Sequence, residues 1–170
     1  MKAIYIHGLD TQPNLEKIEA MEDSGFQTSA LHLNYRTKSD SFEILKKFIK
    51  TEKIEFVVGS SMGGFLGYWL AADMGLPCLL LNPALTFDYS NQLVIPDNIN
   101  DSCPFRFVVM GAKDDIVDPE QSNHFLELHA NGGFQRIISA SWMGHIVDTY
   151  SFREFITWFK YSYLSYVQSC

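Results

Sequence analysis

Three residue types that together can make an alcohol nucleophilic stand far apart in this chain: a serine between glycines, an aspartate just past a strand, and a histidine in a late loop. The serine is Ser61, within Val58-Gly59-Ser60-Ser61-Met62-Gly63-Gly64. Gly59-x-Ser61-x-Gly63 has the spacing of a nucleophile elbow, a strained strand-to-helix turn that lifts one hydroxyl clear of a sheet. A strand-type apolar run ends at Gly59 and a helix-like apolar segment begins at Met62, so the turn must be very tight. Small flanking residues let strand and helix approach without Cβ clashes. The helix start favours developing negative charge, which makes the Met62 N–H a candidate oxyanion donor. The stretch lacks the Gly-Lys-Ser/Thr ending of a phosphate loop and does not spell G-x-G-x-x-G.

The acid is sought in Gly111-Ala112-Lys113-Asp114-Asp115-Ile116-Val117-Asp118-Pro119, because carboxylates just past a strand can reach a shared active edge. Asp114 fits best, since Ile116 and Val117 can then fold back as an apolar anchor, and Asp115 is the second candidate. Asp118 reads as the N-cap of a helix with Pro119 at its first position. The histidine is His145, in a loop where Gly144 is expected to allow an unusual backbone angle. Its claim rests on chain order, Ser61 then Asp114 then His145, which matches one known arrangement of a serine triad. His7 is read as a brace for the loop that follows it, and His32, His124 and His129 as structural. No H-E-x-x-H or similar spacing points to a metal, and no cofactor is called for.

These side chains must be carried by alternating elements. Strand-like runs near residues 3–7, 30–33, 54–58, 78–81, 105–110 and 135–139 alternate with helical patterns at about 14–23, 40–50, 65–74, 120–128 and 151–167. That alternation predicts an α/β fold with a mainly parallel sheet. In the last helix Phe152, Phe155, Ile156, Phe159 and Tyr163 form one apolar face to cover the sheet. Between Asn82-Pro83 and the fifth strand lie about twenty residues, long for a plain loop. Its Leu85, Phe87, Tyr89, Leu93 and Ile95 are open to two readings: a small cap over the active edge, or packing alone.

At 170 residues the chain is expected to be a single domain, residues 1–170, with 46% hydrophobic residues and no apolar run of bilayer length. Its net charge of −7 and lack of a Lys/Arg cluster argue against a nucleic-acid partner. The cysteines, Cys78, Cys103 and Cys170, show no metal-like spacing. Cys78 reads as a buried thiol, which suits a reducing, cytoplasmic setting, and Met1–Gly8 does not read as a signal peptide.

Taken together, Ile4-Tyr5-Ile6-His7-Gly8, the Ser61 elbow, Leu81-Asn82-Pro83-Ala84, Gly111-x-x-Asp114 and Gly144-His145 resemble the α/β-hydrolase superfamily, and more narrowly the small bacterial YqiA/YcfP-like esterases. The resemblance spans most of the chain. It implies a three-layer α/β-hydrolase-type sandwich with six strands in the order 2-1-3-4-5-6, and the site at the carboxyl edge where that order reverses. It also implies a second oxyanion donor after the first strand, for which Leu9 N–H is the candidate and an ordinary turn the alternative. The expected chemistry is hydrolysis of small carboxylic esters, short acyl chains before long lipids, by Ser61, Asp114 and His145. Such a base loses activity below about pH 6.5, the reference histidine value. A thioesterase or other hydrolase using the same residues is the first alternative. A non-catalytic binding module on the same fold is the second.

Overall fold

Strands that lie in the middle of a sheet covered on both faces can be apolar at nearly every position, and four of the runs here, near residues 3–7, 54–58, 78–81 and 105–110, carry at most one polar or charged residue each. The structure is a computed structural model describing residues 1–88, 93–129 and 133–169. The elements follow as β1 Lys2–Ile6, α1 Leu15–Asp23, β2 Gln27–Ala30, α2 Ser41–Glu52, β3 Phe56–Ser60, α3 Met62–Met74, β4 Cys78–Leu81, β5 Phe105–Gly111, α4 Pro119–Leu128, β6 Phe134–Ala140 and α5 Thr149–Ser169. All six strands pair in parallel in the order β2-β1-β3-β4-β5-β6, as the resemblance implied.

Side-chain alternation divides the core into two layers. On one face Ala3, Tyr5, Phe56, Val58, Leu79, Leu81, Phe105 and Phe107 pack against α1 and α5. On the other, Ile4, Ile6, Val57, Cys78, Leu80 and Val108 meet α2, α3 and Leu126 of α4. The aromatic stripe of α5 covers the sheet as expected. The Phe159 ring lies 6.0–6.4 Å from those of Phe26, Phe56, Phe105 and Phe107, and each such fully buried side chain is worth about 1.5–3 kcal/mol relative to exposure.

The second strand is three residues earlier than its sequence pattern suggested, Gln27–Ala30 rather than 30–33. It is one of the two edge strands, only half buried, so it needs no apolar alternation. Leu31 and Leu33, which supplied that pattern, instead lie in the following loop and pack on the α2/α3 side of the core. Helix α3 begins at Met62, ahead of the expected residue 65. Gly63 and Gly64 are contact points inside it rather than breaks before it. A Cβ on Gly63 would fall 2.1 Å from the Ile6 carbonyl oxygen, and one on Gly64 2.8 Å from Pro83 Cα.

The long connection after β4 has no helix among its described residues, and its side chains divide between the two readings. Leu85 and Leu93 are buried in the core and Ile95 packs against it, whereas Phe87 is half exposed beside the site. Tyr89 lies outside the described residues, as does Cys170. Cys78 and Cys103 are buried free thiols with their sulfurs 3.9 Å apart, and burial pushes the Cys78 thiol up. No helix among the described residues is long and apolar enough to cross a membrane.

The sheet's register sets the functional edge. Ile6 pairs with Gly59, Ser60 with Leu81, Leu81 with Val109 and Gly111 with Ala140. The residues that follow each strand therefore emerge side by side. The chain order reverses at β1, whose neighbours β2 and β3 lie on opposite sides, so the loops after β1 and β3 open the crevice where such sheets bind ligands.

Candidate active site

Ser61 alone makes the turn between β3 and α3, with φ +56° and ψ −119°, a region L-residues rarely adopt. Backbone bonds hold it there. Its N–H donates to the Leu81 carbonyl at 2.9 Å, and its own carbonyl accepts from Phe65 N–H at 3.0 Å and Ala84 N–H at 3.1 Å. The flanking glycines are a steric necessity, because a Cβ at Gly59 would sit 2.2 Å from the Gly63 carbonyl oxygen. Of the oxyanion candidates, Met62 is the first residue of α3, so its N–H has no intrahelical partner. Its side chain is buried. Leu9 follows β1 and lines the same cavity as Ser61.

The histidine and aspartate arrive from the next loops along the edge. His145 Nε2 lies 3.1 Å from Ser61 Oγ, and His145 Nδ1 lies 2.9 and 3.0 Å from the two carboxylate oxygens of Asp114. With a proton on Nδ1 donating to Asp114, Nε2 faces Ser61 Oγ, where it can accept the hydroxyl proton. The Asp114 carboxylate is almost wholly shielded, its side chain 1% exposed. Its Oδ1 also accepts the N–H groups of Ile116 and Val117, each at 2.9 Å. Asp115 is exposed, and Asp114 is the aspartate that touches the histidine. The fold-back anchor is Val117 alone; Ile116 is exposed beside the cavity. Asp118 caps α4 through Glu120 N–H and Gln121 N–H.

Gly144 does not have the unusual backbone angle expected of it. Among the described residues the glycines with positive φ are Gly25 and Gly75. The strained residue that serves this loop is Asn82, at φ +44° and 2% exposed at the end of β4. Its Nδ2 donates to the carbonyls of Gly144 and His145, both at 2.9 Å, and its Oδ1 accepts Gly111 N–H at 2.7 Å. One amide thus ties together the loops carrying the aspartate and the histidine. The two loops are also joined directly by Lys113 N–H to the Met143 carbonyl at 3.0 Å. Sequence reasoning met Asn82 only at the end of the fourth strand and in a stretch shared with the resembled superfamily, without a role; its signal was an amide side chain at a strand's carboxyl end, on the edge where the other loops converge.

His7 does brace its loop. Its Nε2 accepts Leu33 N–H at 3.1 Å, its Nδ1 donates to the Gly8 carbonyl at 2.8 Å, and its own carbonyl accepts the Tyr35 hydroxyl. Burial lowers its pKa, with the Gly8 bond opposing and His32 adding to the shift. His32 follows β2 rather than lying on a strand, and stacks on the His7 ring at 5.5 Å. The cavity at Ser61, about 630 Å³, has an apolar side made by Ala84, Phe87, Ile116, Val117, Ile146 and Val147. Among the described residues no group of three His, Cys, Asp or Glu side chains is arranged to hold a metal ion.

The model of an uncharacterised protein family, UPF0227, matches residues 2–116, which agrees with the YqiA/YcfP-like resemblance. Solved structures share the fold over nearly the whole chain. A protein of the alpha/beta hydrolase superfamily from Xanthomonas campestris pv. campestris is 14% identical, with 95% of this chain and 98% of that one covered and a TM-score of 0.73. A serine hydrolase without lid from Xanthomonas campestris is 16% identical over 95% of this chain and 81% of its own, with a TM-score of 0.67. SOBER1 from Arabidopsis thaliana is 15% identical over 95% and 98%, with a TM-score of 0.68. No curated protein sequence matches the chain.

Proposed function

We propose that this chain, which belongs to the UPF0227 family, is a serine hydrolase that cleaves small carboxylic esters through an acyl-enzyme. The observation that carries the reading is the continuous chain of contacts from Ser61 Oγ through the His145 ring to the shielded Asp114 carboxylate, mounted on a strained elbow.

In the first half-reaction Ser61 Oγ attacks the ester carbonyl carbon while its proton passes to His145 Nε2, and Asp114 holds and stabilises the imidazolium. Negative charge grows on the former carbonyl oxygen, facing the N–H groups of Met62 and Leu9. Losing one such donor typically lowers turnover about 100- to 1,000-fold. The tetrahedral species collapses as His145 returns its proton to the departing alcohol. Water then attacks the acyl carbon, giving its proton to the same ring, and the acid leaves as Ser61 is regenerated. The apolar side of the cavity suits a short acyl group, and no described helix covers it.

A fluorophosphonate probe tests the reading. The folded protein becomes covalently labelled, and Ser61→Ala, shown to be folded by circular dichroism, does not. Absence of labelling in the folded wild-type chain refutes the enzymatic reading and favours a binding module.

A further inference from the structure

The polar end of the cavity differs in character from its apolar side. Lys17, in the first turn of α1, lines it, and its ammonium lies 5.5 Å from the centre of the Phe152 ring. The aliphatic stem and the ring take much of it out of water. Among the described residues it forms no ion pair. The carboxylates near it or on the same lining, Asp148, Glu16 and Asp88, each have a partner of their own. Asp148 accepts the Ser151 N–H and hydroxyl at 2.9 and 2.7 Å, and Glu16 accepts the Thr149 hydroxyl. The other cation of the rim, Arg36, is matched by Asp10. Lys17 is thus a positive charge without a direct ion pair, inside the cavity that holds Ser61 and His145, with Asp148 acting on it only at a distance.

Tyr5 lines the same cavity, with its ring edge-on to Phe152 at 6.0 Å, and its hydroxyl has no hydrogen-bond partner among the described residues. Burial pushes that hydroxyl up to about 12, so it stays a proton donor. Burial also lowers the Lys17 pKa, with Asp148 opposing. A partly desolvated ammonium with no carboxylate in direct contact is costly, and a bound anion would offset that cost.

We infer that Lys17 and the Tyr5 hydroxyl form a subsite for a carboxylate carried by the substrate, so that the ester hydrolysed at Ser61 bears a second, negatively charged group. One ammonium and one hydroxyl suit the two oxygens of a carboxylate; a phosphate would leave further oxygens without donors. The inference rests on the hydrolase reading above and names the substrate class of that same cavity.

The test compares charged and neutral esters in two arms. Mono-4-nitrophenyl adipate against 4-nitrophenyl hexanoate places the charge on the acyl part; 4-butyryloxybenzoate against phenyl butyrate places it on the alcohol part. In at least one arm, Lys17→Met lowers the charged-to-neutral ratio of kcat/KM about 10-fold and Lys17→Glu lowers it further, the loss of a charged hydrogen-bonding partner. Lys17→Arg restores most of the ratio, and Lys50→Met, on the exposed side of α2, leaves it alone. A ratio indifferent to Lys17→Met and Lys17→Glu in both arms overturns the inference. Binding of adipate and of 4-hydroxybenzoate, followed by calorimetry, separates the two readings. If no ester is turned over but Lys17→Met weakens binding of either anion, the subsite stands and the esterase reading falls. If neither anion's binding depends on Lys17 in that case, the subsite falls as well.

Discussion

Replacing Asn82 should uncouple folding from catalysis in a measurable way. Its side chain makes three hydrogen bonds, one to the buried Gly111 N–H and two to the carbonyls of Gly144 and His145. Leaving the buried N–H unsatisfied costs about 1–3 kcal/mol, and the carbonyls, which water can reach, about 0.5–1.5 kcal/mol each. Asn82→Gly should therefore lose about 3 kcal/mol in urea denaturation. Asn82→Ala should lose about 1 kcal/mol more, because Ala tolerates the positive φ at this position less well. Both losses are smaller than the total stability of about 5–15 kcal/mol typical of folded domains, so the variants remain testable at low temperature. The larger effect is on chemistry. Asn82 fixes the backbone of His145 itself, and a shift of about 1 Å in a reacting group can cost about 100-fold. Hydrolysis of 4-nitrophenyl acetate should fall about 100-fold in kcat in the glycine variant, with fluorophosphonate labelling slowed in step. A glycine variant that is destabilised as expected but keeps kcat within about twofold would refute the claim that Asn82 positions the histidine.

The other expectations are simpler. Asp114→Asn should lower kcat about 10,000-fold by favouring the wrong histidine tautomer, while the exposed Asp115→Asn changes it by less than about twofold; equal losses in steady-state assays would show that the wrong aspartate is named. Gly63→Ala should cost about 4 kcal/mol or more, or prevent folding, because its Cβ meets backbone 2.1 Å away with no flexible atom to yield; a loss under about 1 kcal/mol would show that β1 and α3 can separate. Stability should fall as pH drops below about 6.5, the unfolded histidine value. His7 has a lowered pKa in the fold, so between that value and 6.5 the unfolded chain binds the extra proton, and the loss levels off below the folded pKa. His7→Gln should flatten that slope in denaturation series between pH 7.5 and 5.

What could be read from the sequence follows from how local each constraint is. The elbow is local: two glycines and a serine within five positions encode both the strain at Ser61 and the close approach of β3 to α3. The central strands were legible because burial on both faces forces continuous apolar runs, whereas β2, at the edge and half exposed, carries no such pattern and was displaced toward Leu31 and Leu33. The preference for Asp114 over Asp115 was partly local too: it rested on an apolar fold-back of Ile116 and Val117, which Val117 alone makes, while the N–H groups of both residues bond the Asp114 carboxylate.

Asn82 and Lys17 have no comparable local signature, and the reason is topological. Asn82 meets the histidine loop 62 and 63 residues later, and Lys17 meets the cavity only because α1 and α5 pack together beneath the same sheet edge. A residue that acts by joining loops gains its role from strand register, which sets which chain segments emerge side by side. It follows that, in a parallel sheet of this kind, polar residues in the first few positions after each strand should be read as a set. Read that way, His7 after β1, Ser61 after β3, Asn82 after β4, Asp114 after β5 and His145 after β6 lie along one edge, where the last four and their loops are joined by hydrogen bonds. Lys17, carried by a helix rather than a strand end, lies outside that set, which suits a residue that selects the substrate rather than one that holds the reacting groups in place.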